Sequence, residues 1–237
     1  MNALHGVTMK SLLCPRSPFA SLDDIRLEDS WDTPCSEPLQ MADGVLAPSE
    51  LNTSVRCFWS NLFLFSIFCC SFRELRIIPD PPKSPAERRT PLLWEQSDVV
   101  EVFIGAGAQA TGRYFEIQIA PDGRWTDMRI VKTVKDLFLD PDWPSEVQCK
   151  SFIDGSESEW RAAVAVPWKS LDSRGALEVP WDCNFYRASG RTHGDELLAW
   201  APTGYGKQCF HRPEKFGRLE LSNESYDEVC VRHERRR

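Results

Sequence analysis

The chain contains 237 residues, of which 42% are hydrophobic and 27% are charged, and this composition suits a globular domain and excludes a disordered chain. Asp and Glu (35) outnumber Lys and Arg (28), giving a net charge of −7, whereas a nucleic-acid binder needs a surplus of cations. The chain also has nine Trp and thirteen Phe residues, so we expect some rings on the surface, where they favour binding.

The predicted organisation has three parts. Residues 1–30 show no clear period and are assigned as an N-terminal extension, residues 31–222 as the folded module, and residues 223–237 as a charged tail. The N-terminus lacks a sustained apolar run, so no secretory signal is expected and a cytoplasmic location is the default. The nine cysteines are odd in number and lack C-x-x-C spacing, which indicates buried thiols rather than a zinc site.

Short strands dominate the module. The apolar stretch Leu62–Phe72 is too short for a membrane span of ~20 residues, and we interpret it as a strand buried on both faces. Lys132–Leu139 is the one stretch expected to form one or two helical turns. The predicted strands are Val55–Phe58, Leu62–Cys70, Val99–Ile104, Arg113–Ile119, Trp125–Val131, Trp160–Val166, Cys183–Ala188, Glu196–Ala201 and Gly217–Leu221.

The alternation within these strands predicts the fold class. In Arg113–Ile119, apolar side chains at every second position lie on one face, while Tyr114, Glu116 and Gln118 lie on the other. Turn signals recur every ~8–12 residues, and no amphipathic helix is convincing. The sequence therefore predicts an all-β protein, an antiparallel β-sandwich with few short helices.

The motif GAGAQA at Gly105–Ala110 fits a dinucleotide-binding pattern only superficially. A nucleotide site needs a helix after the glycines, because the pyrophosphate binds at its N-terminus. Here the alternating strand from Arg113 follows instead, so we interpret the glycines as a hairpin loop.

Catalytic and metal sites have weaker signals. Glu95, Asp98 and Glu101 cluster in sequence and could supply the paired carboxylates of an O-glycosyl hydrolase, although a binding protein is favoured over an enzyme. No metal site is assigned and no cofactor is required, but the acidic residues of Asp136–Asp142 leave a structural calcium ion open.

Aromatic residues beside polar ones suggest a sugar site. Trp94 precedes an acidic strand, Trp200 opens WAPTG, and Phe210 and His211 lie in CFHRPEKFG. Sugars present C–H faces that pack on rings, and hydroxyls that need planar polar partners. Trp160 and Trp168 have apolar neighbours and are assigned to the core.

The order of the motifs resembles the family 9 carbohydrate-binding module. The matching segments are LWEQSDVVEVFIG, RYFEIQIAPDGRWTD, EWRAAVAVPWKSL, NFYRASG, LAWAPTG and FHRPEKFGRLEL, which lie within residues 93–221. The resemblance implies a β-sandwich related to the DOMON type and non-catalytic binding of a mono- or oligosaccharide. In such modules a sugar ring lies between two aromatic side chains, and the binding serves polysaccharide degradation and carbohydrate catabolism.

The resemblance also implies site residues. Trp94 matches the first clamp ring, Glu101 the acidic hydrogen-bonding residue, and Gln118 a position that is cationic in xylanase-attached members. Phe210 and His211 stand near the second clamp ring, where those members have Trp. The remaining motifs add two candidates, Arg187 in NFYRASG and Trp200 in LAWAPTG.

A haem-binding sandwich is the third possibility, because DOMON-like relatives include haem binders. Haem needs axial His or Met ligands. Met128, His193 and His211 are the candidates for that role.

Overall fold

The computed structural model describes residues 9–29, 36–171, 180–189, 196–204 and 210–234. The helices are α1 (Leu93–Gln96), α2 (Ala108–Thr111) and α3 (Tyr226–Glu234). The fourteen strands of the described residues are β1 (Ser11–Arg16), β2 (Glu37–Pro38), β3 (Gln40–Met41), β4 (Thr53–Trp59), β5 (Phe63–Ser71), β6 (Val99–Ala106), β7 (Arg113–Ile119), β8 (Trp125–Lys132), β9 (Leu137–Asp140), β10 (Gln148–Asp154), β11 (Glu159–Pro167), β12 (Trp181–Ser189), β13 (Glu196–Ala199) and β14 (Gly217–Ser225).

The strands form one continuous hydrogen-bonded path with the order β10-β11-β5-β4-β1-β14-β12-β6-β7-β8-β9. Neighbours along the path are antiparallel, except that β1 runs parallel to both β4 and β14. We call the part from β10 to β1 the β5 half, and the part from β14 to β9 the β6 half. β1 and β14 therefore form the seam between the two halves.

The two halves pack face to face around the main core. Phe68 and Val164 from the β5 half lie in one buried cluster with Val102, Ile117 and Phe185 from the β6 half. Val102, Ile117 and Phe185 belong to the apolar sets of alternating strands, so the alternation directs them inward. The antiparallel sandwich predicted from the sequence is confirmed, and Trp160 and Trp168 are core residues as expected.

The outer face of the β5 half is covered by the N-terminal segment. Leu22, Ile25 and Leu27 pack there against Phe65 and Ile67 of β5. β5 is thus buried on both faces, which confirms the interpretation of the Leu62–Phe72 stretch. Among the described helices none is long and apolar enough to cross a membrane.

Three segments differ from the sequence predictions. Ser11–Arg16, assigned to an N-terminal extension, is a strand within the sheet. Residues 132–139 form a hairpin instead of helical turns, because the Thr133 amide donates to the Asp136 carbonyl and β9 then pairs with β8. Tyr226–Glu234, which the sequence assigned to a charged tail, forms the helix α3, and the side chain of Val229 in this helix is buried.

The GAGAQA motif is a hairpin connection, as predicted. Gly107 and Gly112 adopt the left-handed region, with φ of 60° and 66°, and bracket the single turn α2. The Gln109 amide donates a 2.9 Å hydrogen bond to Asp182 Oδ2, so the turn closes on a carboxylate of the protein itself.

Candidate functional site

The outer face of the β6 half carries a group of buried polar side chains. Glu101 of β6 lies opposite Gln118 of β7, and Glu116 lies two residues before Gln118 on the same strand. Strand alternation directs all three to the side away from the main core. We call Glu101, Glu116 and Gln118 the acidic face.

Trp94 lies at one end of this face. Its backbone amide donates a 3.3 Å hydrogen bond to Gln118 Oε1, and Gln118 Nε2 donates a 2.5 Å bond to Glu116 Oε1. Trp94 lies in the short helix α1, which precedes β6. The residue before α1, Leu92, adopts the left-handed region with φ of 51°. Trp94 is 37% exposed and lies next to the acidic face.

His211 lies at the other end. Its Nδ1 is 4.0 Å from Glu116 Oε2 and 2.9 Å from the Tyr114 hydroxyl. Burial first, and the positive charge of Lys132 second, lower the pKa of His211 to about 4, so the ring is neutral at pH 7. Burial raises the pKa of the Tyr114 hydroxyl, so it keeps its proton, and we assign this hydroxyl as the donor to Nδ1. The second ring nitrogen, Nε2, then carries the proton of the neutral ring.

Stacked rings support this end of the face. Phe210 stacks on Tyr186 of β12 with ring centroids 4.0 Å apart, and the Tyr186 hydroxyl donates to the Phe210 carbonyl at 3.0 Å. Phe103 lies beneath His211 at a centroid distance of 5.4 Å. Phe210 itself is only 8% exposed, so His211 is the more accessible of the two rings.

The two carboxyl groups of the acidic face are deeply buried, each residue being 3% exposed. Burial, and then the charge of Glu116, raise the pKa of Glu101 well above its usual range. Burial raises the pKa of Glu116 to about 7, against the opposing effect of the Gln118 hydrogen bond. Glu116 Oε2 has no hydrogen-bond partner among the residues that the structure describes. A buried acceptor without a partner is costly, and a ligand donor can supply one.

Comparison with solved structures identifies the architecture. A protein from Bacteroides uniformis, provisionally assigned to carbohydrate binding, superposes with a TM-score of 0.66 at 18% identity. The superposition covers 91% of this chain and 100% of that one. No family model matches the sequence. No curated protein sequence matches it either.

A family 9 carbohydrate-binding module from Caldicellulosiruptor kristjanssonii has the same arrangement of strands. Its glucose complex matches with a TM-score of 0.56 at 12% identity, covering 92% of this chain and 98% of that one. Its cellotriose complex gives 0.57 at 11% identity, with coverage of 92% and 96%. The chain has the fold of a family 9 carbohydrate-binding module. At these identities the likeness concerns the family 9 fold alone.

Two of the site residues predicted from the sequence do not join the acidic face. Trp200 is fully buried against Phe185, 5.8 Å between centroids, and Gly217 leaves room for its ring because a Cβ there would lie 2.3 Å from it. Arg187 is fully buried between the two halves and donates to Thr53 Oγ1 and to the Ser71 carbonyl. Both side chains are therefore buried away from the acidic face.

The carboxylates considered for hydrolysis do not meet in space. Glu95 is exposed on α1, and Asp98 accepts hydrogen bonds from the Arg76 amide and the Ser189 hydroxyl, both at 3.3 Å. By strand alternation Asp98 also lies on the opposite side of the sheet from Glu101. The sequence cluster is therefore divided between three environments.

The acidic stretch considered for calcium contains Asp140 at the end of β9. Asp140 forms an ion pair with Arg129 at 2.7 Å, and the described residues contain no group of three or more His, Cys, Asp or Glu side chains that could hold a metal. Of the haem candidates, Met128 lies opposite Glu116 and packs near the cluster beneath His211, while His193 lies outside the described residues. His211 Nδ1 already interacts with Tyr114.

Sequence reasoning did not single out Glu116, Tyr114 or Tyr186. The alternation of β7 had placed Glu116 and Tyr114 on the same face as Gln118, and this was the available signal. Tyr186 shares the face only because β12 pairs with β6 so that Tyr186 lies opposite Glu101. That register is not visible in the sequence of either strand.

Proposed function

We propose that the protein binds a carbohydrate, without chemical change, at the acidic face between Trp94 and His211. The observation that carries the proposal is the buried Glu116 Oε2, which has no hydrogen-bond partner among the described residues. The other oxygen of this carboxyl belongs to a row of hydrogen bonds that ends at the backbone amide of Trp94, a residue that is 37% exposed. A pyranose offers hydroxyl donors on its rim and C–H groups on its faces. The site offers acceptors for the donors and a ring for the C–H groups.

The interactions divide between the two ends of the site. The face of the sugar packs on Trp94, which is the exposed ring. Hydroxyl groups donate to Glu101 and Glu116, and the Nε2 proton of His211 donates to a sugar oxygen. Such a small site gives modest affinity, because one stacked ring and a few hydrogen bonds must offset the entropy lost on binding.

The likeness to family 9 modules supports a sugar as the ligand. The family 9 module from Caldicellulosiruptor kristjanssonii was solved in complex with glucose and with cellotriose. Both ligands are sugars with hydroxyl groups around the ring. The association with polysaccharide breakdown and carbohydrate catabolism is the wider part of the proposal, and it follows from the resemblance described above. Binding rather than hydrolysis is favoured because Glu95, Asp98 and Glu101 lie apart.

Calorimetric titration with glucose, xylose, cellotriose and xylotriose tests the proposal. We expect at least one sugar to bind, and Trp94→Ala to weaken it about 10-fold or more, since loss of a stacked ring costs on the order of 1–2 kcal/mol. Phe138→Ala is the matched control, because Phe138 is an exposed ring on β9 that lies outside the acidic face.

Two outcomes contradict the proposal. One is the absence of heat with every sugar at millimolar concentration. The other is equal affinity of the wild type and Trp94→Ala, which would move the ligand away from the acidic face.

A further inference from the structure

The acidic face contains two acids and no cation to balance them. Within the described residues, neither Glu101 nor Glu116 forms an ion pair with Lys or Arg. His211 lies 4.0 Å from Glu116, and it is neutral at pH 7. Two buried carboxyl groups in contact with no counter-charge are unfavourable unless they hold a proton or gain a cation.

The hydrogen bonds among the described residues also leave one carboxyl oxygen of the acidic face without a donor. Gln118 Nε2 satisfies Glu116 Oε1 and leaves Glu116 Oε2 without a partner. Glu101 lies directly opposite Gln118 in the β6–β7 register, so its carboxyl and that of Glu116 flank one spot on the sheet. A group that fits this spot should carry positive charge and several donors.

We propose that the ligand of the acidic face is an amino sugar, whose ammonium group lies between Glu101 and Glu116 while its ring packs on Trp94. This inference rests on the proposed function and names its substrate class. An ammonium group supplies one positive charge and three donors, whereas a neutral hydroxyl supplies one donor and leaves the carboxylate charge unbalanced. In an N-acetylated amino sugar the nitrogen is a neutral amide, so it brings no positive charge to the two carboxyl groups.

A metal cation is the competing occupant and has less support. Ca²⁺ takes six to eight oxygen ligands, and the described residues contain no group of three or more His, Cys, Asp or Glu side chains that could hold a metal ion. The ring at Trp94 would also be unused by a bare ion.

Binding of an ammonium group should expel protons. The carboxyl pair holds a proton in the free protein because burial raises both pKa values, and an adjacent cation favours the charged form. The other ionisable groups around the pair are Tyr114 and His211, with Lys132 near His211 and Glu214 near Tyr114. Burial keeps Tyr114 protonated by raising its pKa, and His211, with its pKa lowered to about 4, is largely neutral above pH 5.

The test is calorimetry at pH 7.0 with glucosamine, glucose and N-acetylglucosamine, each in phosphate and in Tris buffer. We expect glucosamine to bind at least about 10-fold more tightly than glucose, and N-acetylglucosamine to show no such gain. The two buffers have different heats of ionisation, so a buffer-dependent enthalpy measures proton release. We expect release with glucosamine and much less with glucose.

Variants locate the effect. In Glu116→Gln the ratio of the glucose and glucosamine dissociation constants should fall toward 1, and Glu101→Gln should act in the same direction. Glu157→Gln is the matched control, because Glu157 is an exposed acid at the β10–β11 turn in the other half. A melting curve for each variant shows whether it is folded.

The outcomes separate this inference from the proposed function. Equal affinity for glucose and glucosamine, or a preference that survives in both variants, would overturn the amino-sugar assignment and leave carbohydrate binding intact. Calcium that competes with glucosamine and is lost in Glu116→Gln would also overturn it. Absence of binding by all three sugars, and by the sugars of the earlier titration, would overturn both.

Discussion

The two outer faces of the sandwich differ in the side chains that they carry and in what covers them. The outer face of the β5 half is apolar, and the chain covers it with its own segment, which includes Leu22 and Ile25 packed against Phe65. The outer face of the β6 half carries Glu101 and Glu116 instead, with a ring left partly exposed at its edge. One alternating architecture thus gives a closed face and a face suited to a ligand.

The difference shows how stability and binding are divided in this molecule. Apolar side chains on the covered face contribute transfer free energy on folding. Buried carboxyl groups on the acidic face cost free energy in the absence of a ligand, which is typical of functional sites. Substitutions on the two faces should therefore change stability in opposite directions.

The largest effect is expected at the covered face. Ile25 is fully buried, so Ile25→Asp places an unpaired carboxylate among apolar side chains and should lower the free energy of unfolding by about 4 kcal/mol or more. Urea denaturation measures the change. Ile25→Val is the control and should cost about 0.5–1.5 kcal/mol. A tolerated Ile25→Asp would show that residues 19–27 do not hold this face closed.

The acidic face should respond in the other direction and with pH. Glu116 has a pKa of about 7 in the folded state against 4.5 in the unfolded chain, so the folded state binds the proton more tightly. Its contribution is fully present below pH 4.5 and is lost as the pH rises through about 7. Glu116→Gln removes this loss. The free energy of unfolding of the variant, minus that of the wild type, should therefore be about 2 to 3 kcal/mol larger at pH 8 than at pH 4.5.

Thermal unfolding at several pH values measures this second effect. His211 acts oppositely, since its lowered pKa means that stability is lost as the pH falls from 6.5 through about 4. The difference between Glu116→Gln and the wild type removes that common contribution. A difference that does not change between pH 4.5 and pH 8 would mean that the carboxyl of Glu116 ionises freely in the folded protein.

A smaller effect is expected from the bond that orients His211. Tyr114→Phe removes the hydroxyl that donates to His211 Nδ1 and should cost about 1 kcal/mol, because the partner nitrogen is partly exposed and can bind water. Nitrogen NMR of the imidazole should show the Nε2–H form in the wild type. A mixture of tautomers in the wild type would contradict the assigned orientation.

The smallest effect is expected away from both faces. Phe138 on β9 is 58% exposed, so Phe138→Ala should change the free energy of unfolding by less than about 0.5 kcal/mol. A large loss would reveal a third buried surface at that edge.

The sequence predicted the parts of the fold that depend on local alternation. β7 is Arg113–Ile119 in both the prediction and the structure, since every second residue there is apolar. β1 was missed because its outward and inward residues do not alternate in polarity, and its place in the sheet depends on a partner strand from the far end of the chain. Non-local pairing of this kind leaves no local pattern.

The same limit applies to the candidate site. Trp94 and Gln118 were found from motif resemblance, and the structure joins them by one hydrogen bond. Arg187 and Trp200 were chosen by residue type, and only their strand parity and packing place them inside the core. Tyr186 needed the β6–β12 register.

The seam between the halves joins two strands from the far ends of the chain, with Ser11 paired to Arg218. During synthesis β1 emerges long before its partner β14. The sandwich therefore cannot close at this seam until β14 has left the ribosome. A chain that stalls before β14 leaves β1 with one edge unpaired, and such an edge invites aggregation.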